Sequence, residues 1–310
     1  MIPNPNVEGL FVARLKEIVG DQCAETIHQT MRGPKDQAYW VNPLVDGEIG
    51  FSGTPVVGAA NCYVLPASQR SEITESRAAA DGVVYPINPS SVVAVTSLAP
   101  EIGEEVLDLA AAPGGKTLLI AAAMNNSGRI AAVEPVKGRF HRMRANLKRC
   151  GVTNTEFYCA DGRGVGRKVG QRFTRVMLDA PCSSEARIDW DREQTYQHWK
   201  ARKIRETSRK QRSLIRSAFS ALQPGGILVY CTCAYAPEEN ECVVDHLLRR
   251  EPSADVLPVA IARDETLAGL TVWQGRALDP RLKRALRILP DRLWDGFFLC
   301  LLTRRNPSPS

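Results

Sequence analysis

The chain has 310 residues, of which 44% are hydrophobic, and a formal net charge of +6, so it is long enough to bury one large core or two modest ones. No stretch approaches the roughly 18 consecutive apolar residues of a membrane helix. The N-terminus, Met1 to Asn6, lacks the charged-then-apolar order of a signal peptide. We therefore expect a cytoplasmic, monomeric protein without a membrane partner.

The first part of the chain combines two predicted helices with short strands. Amphipathic patterns predict helices from Leu10 to Val19 and from Cys23 to Met31. Strand-like pieces follow around Tyr39 to Val45 and Cys62 to Leu65, separated by glycines and a proline. We predict a small, separate α/β domain over residues 1–80 that resembles an RNA-recognition domain.

From about residue 104 onward, predicted strands and helices alternate. The predicted strands are Val106 to Asp108, Arg129 to Val133, Thr155 to Cys159, Arg175 to Leu178, Ile227 to Tyr230 and the buried Gly296 to Leu302. The predicted helices are Thr117 to Met124, Lys137 to Cys150, a long one that ends at Leu222 and one that opens at Pro237 to Glu241, and Asn306 to Ser310 is a predicted frayed tail. This order is typical of a doubly wound α/β domain, predicted here over residues 81–306, with its ligand at the carboxyl ends of the strands.

The segment from Ala110 to Thr117 follows the first of these strands and has three possible meanings. A Walker A loop requires a glycine where Ala110 stands, although Gly115-Lys116-Thr117 fits its end. A dinucleotide loop requires Gly-x-Gly-x-x-Gly, which is absent. What remains is a tight turn of small residues that lets the backbone approach a ligand at a helix N-terminus.

Acidic residues close the next two predicted strands. Glu134 lies 19 residues after Gly115, where a carboxylate can bind ribose hydroxyls. Asp161 follows the third strand and is placed to accept a hydrogen bond from an adenine amino group. Either carboxylate alone is more simply a loop or cap residue, but both together favour an adenosine-bearing cofactor.

Two cysteines follow apolar strand-like runs, Cys182 after Asp179-Ala180-Pro181 and Cys233 after Cys231-Thr232. A thiolate is a strong nucleophile, and a basic, partly desolvated pocket populates it. A single cysteine at a strand end is usually a small buried hydrophobic residue, but two on neighbouring strand ends favour cysteine chemistry. We expect no metal, because Cys231-x-Cys233 lacks the second pair of ligands of a zinc site.

Positive charge is concentrated in two predicted helices. One set is Lys200, Arg202, Lys203, Arg205, Arg209, Lys210, Arg212 and Arg216, and the other is Arg139, Arg142, Arg144, Lys148 and Arg149. Such runs are usually solvated helix faces. Beside the cysteine pair they indicate a polyanionic partner such as RNA.

Four motifs occur in a specific order. They are Asp108 to Thr117, Asp179 to Ser183, Thr232-Cys233 and Pro237 to Glu241. With them the chain resembles, over nearly its whole length, the Sun family of RNA cytosine-5 methyltransferases, which use S-adenosylmethionine. Met124-Asn125-Asn126, Arg149-Cys150-Gly151 and Asp161-Gly162-Arg163 are most similar to the bacterial members that methylate small-subunit ribosomal RNA.

The resemblance implies a Rossmann-like class I methyltransferase domain and a set of site residues. Cys233 would attack carbon 6 of the cytosine, and Cys182 would assist removal of the carbon 5 proton and release of the enzyme. Asp179 would hold the cytosine edge, with Lys116 orienting its carboxylate. The cofactor-binding residues would be Ala111, Ala112, Pro113, Gly114, Gly115, Lys116, Glu134, Asp161 and Asp179.

The sequence departs from the family pattern at four positions. Trp40 replaces an arginine, Ile87 a glutamine, Ser184 a glycine and Cys231 a serine. These departures leave the predicted catalytic residues unchanged and bear on how RNA is positioned and on which RNA is the substrate. Ribosomal RNA is the preferred substrate, and transfer RNA, a non-catalytic RNA-binding assembly factor and a small-molecule methyltransferase are the alternatives.

Overall fold

The computed structural model describes residues 7–306. The expected absence of a signal peptide at residues 1–6 and most of the predicted tail lie outside the described residues. The helices are α1 Val7–Val19, α2 Asp21–Thr30, α3 Arg70–Thr74, α4 Arg77–Asp81, α5 Pro89–Leu98, α6 Gly115–Ala123, α7 Lys137–Arg149, α8 Val165–Val169, α9 Ala201–Ala221 and α10 Glu241–Leu248. Within this described range, no helix is long and apolar enough to cross a membrane.

Fifteen strands are found among residues 7–306. The first eight are β1 Gln37–Val41, β2 Thr54–Pro55, β3 Cys62–Leu65, β4 Val84–Pro86, β5 Glu105–Asp108, β6 Arg129–Val133, β7 Thr155–Tyr158 and β8 Phe173–Asp179. The others are β9 Leu222–Thr232, β10 Ala254–Leu257, β11 Thr266–Ala268, β12 Val272–Trp273, β13 Arg276–Ala277, β14 Leu286–Ile288 and β15 Phe297–Arg304.

The larger sheet is doubly wound, as its alternating pattern predicts. Its order is β11-β14-β15-β9-β8-β5-β6-β7, and β10 also pairs with β15. The strands from β9 to β7 are parallel, and β15 runs antiparallel beside β9. Because β5 connects to β6 on one side and pairs with β8 on the other, the crevice above these strands is the switch point where such sheets bind ligands.

The smaller sheet is antiparallel, in the order β2-β3-β1-β4. It extends to Pro86, six residues beyond the predicted domain boundary at residue 80. Asn42, which follows β1, is buried and links this sheet to the end of α7: its amide donates to the carbonyls of Gly82 at 2.8 Å and Cys150 at 3.0 Å. The division into two domains stays a prediction.

The helices α1 and α2 pack on the larger sheet's side of the molecule. Phe11 in α1 contacts the rings of Trp190 and Trp199 at 5.4 Å, and that of Tyr235 at 6.3 Å, all with edge-on geometry. Tyr235 lies two residues after Cys233 in the chain. The amphipathic helix α1 thus packs its apolar face against the segment that follows β9.

Candidate active site

A cleft of about 400 Å³ opens at the carboxyl ends of the central parallel strands. The pairing of β8 with β9 places Asp179 opposite Cys231, so the loops that follow the two strands lie side by side. Most of the residues predicted from the sequence come together here. Those that line the cleft are Ala112, Pro113, Lys116, Glu134, Asp161, Asp179, Cys182 and Cys233.

The two predicted cysteines form a close pair, with 3.4 Å between their sulfur atoms. The pKa of Cys233 is lowered first because Cys182 donates a hydrogen bond to it, and then, against the opposing effect of burial, because Arg187 lies nearby. The pKa of Cys182 is raised well above its usual value by that same hydrogen bond and by burial. The first proton lost by the pair is therefore favoured to leave Cys233 and not Cys182.

The Lys116 ammonium holds the carboxylate of Asp179. Its Nζ lies 2.7 Å from Asp179 Oδ2 and 3.1 Å from the Ser91 hydroxyl. Burial is the largest effect and disfavours the charged ammonium, but Asp179 and Cys231 together raise the pKa of Lys116. The other Asp179 oxygen lies 3.8 Å from the buried sulfur of Cys231. The pair leaves Asp179 fixed at the floor of the cleft beside the cysteines.

The remaining residues of the predicted turn shape the cleft without lining it. Ala111 is buried, and its N–H donates to the carbonyl of Val133 at 3.0 Å. Gly114 has φ +106°, a left-handed conformation that glycine adopts readily, and a Cβ there would lie 3.2 Å from Leu147. A Cβ on Gly115 would lie 3.2 Å from the Tyr85 ring. Small residues are therefore needed at these positions for close packing.

The two carboxylates predicted to bind a cofactor differ in their surroundings. Glu134 is buried at the end of β6, where Oε1 accepts from the N–H of Val136 at 2.9 Å and Arg139 lies 3.5 Å from Oε2. Asp161 is half exposed, and both its oxygens accept hydrogen bonds from Arg163 at 2.9 to 3.0 Å. Glu134 thus presents a preorganised carboxylate, whereas Asp161 must share its oxygens with an arginine.

Three groups that sequence reasoning missed organise the cysteine loops. Glu185 is buried, and its Oε2 accepts from the backbone N–H groups of Tyr235 at 2.8 Å and Ala236 at 2.7 Å. Glu239, whose pKa is raised by burial to about 8, accepts from the backbone N–H of Ser183 at 3.0 Å. Arg187 lines the cleft beside both thiols. The nearness of Glu185 and Arg187 to Cys182 in the sequence was the available signal.

The four departures from the family pattern take different places. Trp40 is buried in the core beneath the small sheet, and Ile87 is buried near the start of α5. Ser184 lines the cleft with φ +59°, a left-handed conformation in which a glycine would be less strained. Cys231 is fully buried next to Asp179. Two of the departures therefore lie within the active site itself.

Three members of the basic set on α7 contact other groups of the protein. Arg139 donates to the carbonyl of Ala112 at 2.9 Å, and Arg149 donates to the carbonyl of Ala79. Arg144 lies over the rings of Phe140 and Phe157, at 5.8 and 5.7 Å from their centroids. The other two members of the set, Arg142 and Lys148, are exposed, so α7 also presents positive charge to solvent.

The strand order, with an antiparallel last strand beside β9, and the charged cleft at the switch point define a class I methyltransferase. Residues 95–303 match the sequence model of the family described as 16S rRNA methyltransferase RsmB/F, which is more than half of the chain. The chain belongs to that family. The Sun-family resemblance and the Rossmann-like fold are thereby confirmed.

Known relatives share sequence over much of this chain. It is 43% identical over 229 residues to ribosomal RNA small subunit methyltransferase F of Vibrio parahaemolyticus, covering 73% of this chain and 46% of the relative. The enzyme of the same name from Aeromonas salmonicida is 36% identical over 235 residues, covering 74% and 47%. The chain thus spans less than half the length of these two curated relatives.

Solved structures extend the likeness to the whole fold. A methyltransferase homologue from Pyrococcus horikoshii superposes with a TM-score of 0.81 at 29% identity and covers 98% of this chain and all of its own. NSun6 from the same organism, in a structure titled as containing SFG, has a TM-score of 0.72 at 22% identity and supports the fold alone.

The residues present fit S-adenosylmethionine, the cofactor that the family resemblance implies. The Ala110 to Thr117 turn leads into the N-terminus of α6, and the preorganised Glu134 carboxylate closes the next strand of the same cleft. The cysteines and Asp179 line the other end of that cleft. A methyl donor held by the turn and Glu134 would therefore face the reactive groups.

Proposed function

We propose that the protein is an RNA cytosine-5 methyltransferase that forms 5-methylcytosine in small-subunit ribosomal RNA, with S-adenosylmethionine as methyl donor. The observation that carries the proposal is the pair of sulfur atoms 3.4 Å apart beside the Lys116–Asp179 ion pair. An aromatic carbon is too weak a nucleophile to take a methyl group unaided, so covalent activation by a thiolate is the chemistry that such a pair serves.

In this reaction Cys233 attacks carbon 6 of the cytosine, and the ring electrons shift toward carbon 5. S-adenosylmethionine, when bound, supplies the electrophilic methyl group. Asp179, fixed by Lys116, holds the polar edge of the base beside Cys233. Cys182 removes the carbon 5 proton, which restores the double bond and releases Cys233.

The cleft also constrains the form of the RNA. The reactive cysteines lie at the ends of buried strands inside a cleft and not on an open face. A base paired within a helix cannot reach them, so the target cytosine must lie in a single-stranded segment or be flipped out of its stack. The proposed RNA contact outside the cleft is the basic face of α9.

The proposal is tested by incubating the protein with tritium-labelled S-adenosylmethionine and unmethylated small-subunit ribosomal RNA. We expect labelled RNA, with the label in 5-methylcytosine, and bisulfite sequencing then gives the position. Labelling of transfer RNA but not of ribosomal RNA would assign the alternative substrate. Label transfer without RNA would indicate a small-molecule methyltransferase, and RNA binding without any transfer would indicate an assembly factor.

A further inference from the structure

Arg187 is a cation of the cleft that forms no ion pair with any of the residues that the structure describes. Of the other cations that line the cleft, Lys116 pairs with Asp179, Arg139 with Glu134, and Arg163 with Asp161. Among residues 7–306 the Arg187 guanidinium has no hydrogen bond and no carboxylate within 4.0 Å. Lys210, which also lacks an ion pair in that range, lies near Asp161, on the cofactor side.

The loop that carries Arg187 is fastened to the loop that carries Cys233. The backbone N–H of Ala186 donates to the carbonyl of Cys233 itself at 3.0 Å. Glu185 clamps the same loop to the two residues after Ala234 and also accepts from the Trp199 indole at 2.8 Å. These bonds keep Arg187 in one place relative to both sulfur atoms.

The two sulfur atoms are too close to carry negative charge together, because like charges at this separation repel strongly. The separation of 3.4 Å lets one thiol donate a hydrogen bond to the other sulfur, which favours a single thiolate in the pair. Once Cys233 has bonded to carbon, its sulfur is neutral, and the repulsion that keeps the proton on Cys182 is gone. The cation beside the pair then faces a second thiol that is free to ionise.

We propose that Arg187 serves the two thiols in turn, first as the cation beside the Cys233 thiolate and, after the adduct has formed, as the cation beside the Cys182 thiolate. The inference rests on the proposed methyl transfer for its second step. The effects of nearby charges on the pKa of Arg187 agree with this order of events. The pKa of Arg187 is raised first by the charge on Cys233 and, against the opposing effect of burial, then by the carboxylates of Asp295 and Asp179 and last by Cys182.

The proton balance of the cycle follows. Cys233 begins as a thiolate and Cys182 as a thiol. Cys233 bonds to carbon 6, carbon 5 bonds to the methyl carbon as the methyl–sulfur bond breaks, and Cys182 loses its proton to water in the cleft. The Cys182 thiolate then takes the carbon 5 proton, the carbon 5–carbon 6 double bond forms again, and the sulfur–carbon 6 electrons return to Cys233. One proton is released per methyl group.

Both parts of the inference, the effect of Arg187 on Cys233 and its effect on Cys182, can be tested without RNA or cofactor. The protein is alkylated with iodoacetamide across a pH series, and each cysteine is quantified by peptide mass spectrometry. In wild type, Cys233 is expected to react at lower pH than Cys182. In Arg187→Gln the midpoint for Cys233 should rise by about 1 pH unit or more, the usual effect of losing a nearby opposite charge. Arg187→Lys should restore most of the shift. Arg192→Gln is the matched control, since Arg192 lies in the same loop and pairs with Asp189.

The second half uses Cys233→Ser, which removes the neighbouring thiolate. The midpoint for Cys182 should then fall below its wild-type value, and adding Arg187→Gln should raise it again. Equal thermal unfolding of all variants verifies the fold. A Cys233 profile unchanged in Arg187→Gln, or a Cys182 profile unchanged by either substitution, would overturn the inference. Because alkylation needs no RNA, a protein that fails to methylate RNA but shows these shifts loses the proposed function and keeps the assignment of Arg187.

Discussion

Single residues in the cleft are held by partners that do not react. Lys116 fixes Asp179 at 2.7 Å, and Glu185 fixes the loop after Cys233 through two backbone N–H groups. Groups that are already positioned when the substrate binds increase the rate of a reaction. In the proposed reaction, the buried carboxylates near the cysteines would therefore act through their hydrogen bonds.

Glu134 provides the most direct residue-scale test of the cofactor site. Its side chain is buried, and the Val136 N–H orients its carboxylate toward the cleft. Glu134→Ala should weaken S-adenosylmethionine binding by about 1 to 3 kcal/mol, because polar partners are left unpaired. Isothermal titration calorimetry measures this directly.

Glu156→Ala is the control for Glu134→Ala, because Glu156 is an exposed carboxylate on β7 that pairs with Arg129. It should leave the affinity unchanged. If Glu134→Ala binds the cofactor as tightly as wild type does, Glu134 is not part of the cofactor site.

Cys231 is one of the residues at which the chain departs from the family pattern, which has a serine at this position. Its sulfur lies 3.8 Å from Asp179 Oδ1, and it is fully buried. Cys231→Ser, which restores the usual residue, should retain activity and the covalent adduct, because the hydroxyl can donate to the same carboxylate oxygen. Loss of activity in this variant, measured by methyl transfer, would assign Cys231 a role of its own.

Among the elements, α9 carries the largest uncompensated charge. Arg205, Arg209 and Arg212 follow one face of the helix and, with Arg14 of α1, line a cavity of about 410 Å³. In that cavity only Arg14 has an ion pair within the described range, to Glu238. A row of cations without carboxylate partners costs stability through self-repulsion, so it is best explained by a polyanion that neutralises it.

Reversing Arg205, Arg209 and Arg212 to Glu should weaken RNA binding and flatten its dependence on salt, since fewer counterions are released. Cofactor affinity should not change. Filter binding at several salt concentrations measures both effects. Reversing three exposed cations elsewhere, Lys16, Arg77 and Lys283, is the control for net charge. Equal RNA affinity of the two triple variants would make α9 an ordinary solvated face.

The elements that the sequence predicts best are those with strong apolar periodicity. The prediction for β6 matches the observed Arg129–Val133, and α7 ends within one residue of its predicted end. The helix predicted to open at Pro237 begins at Glu241 instead, after a hydrogen-bonded turn over the preceding residues. The sequence pattern could not predict that α10 begins at Glu241, because a proline followed by acidic residues is as common in a turn as in the first turn of a helix.

The residues of the candidate site likewise include some that the sequence predicts and some that it does not. Residues at strand ends, such as Cys233 and Glu134, were predictable because parallel strands bring their carboxyl ends to one edge. Arg187 and Glu185 were not, because their roles depend on how a loop folds back onto Cys233, which has no periodic signal. Asp161 shows the converse: its strand-end position was predictable, whereas its pairing with Arg163 was not.

At the scale of the whole molecule, specific hydrogen bonds link the small sheet to α7, the helix between β6 and β7 of the large sheet. Asn42 donates to Gly82 and Cys150, and its Oδ1 accepts from the N–H of Leu44 at 3.0 Å. Asn42→Ala leaves two carbonyls and one N–H without these partners. The variant should lower the free energy of unfolding by about 1 to 3 kcal/mol.

Urea denaturation measures the effect of Asn42→Ala, with the exposed amide variant Gln197→Ala as control. If the two variants are equally stable, Asn42 does not hold the sheets together. A single unfolding transition in both would indicate that the two sheets unfold as one cooperative unit.

The central claim is that Cys233 forms the covalent bond and that Cys182 acts only after methyl transfer. Denaturing gel electrophoresis of each variant, after incubation with ribosomal RNA and S-adenosylmethionine, tests it most directly. Cys182→Ala should accumulate a protein–RNA species that resists denaturation, because the adduct forms and cannot break down. Cys233→Ala should show neither that species nor methylation. A covalent species that persists in Cys233→Ala, or two variants that cannot be told apart on the gel, would contradict the account.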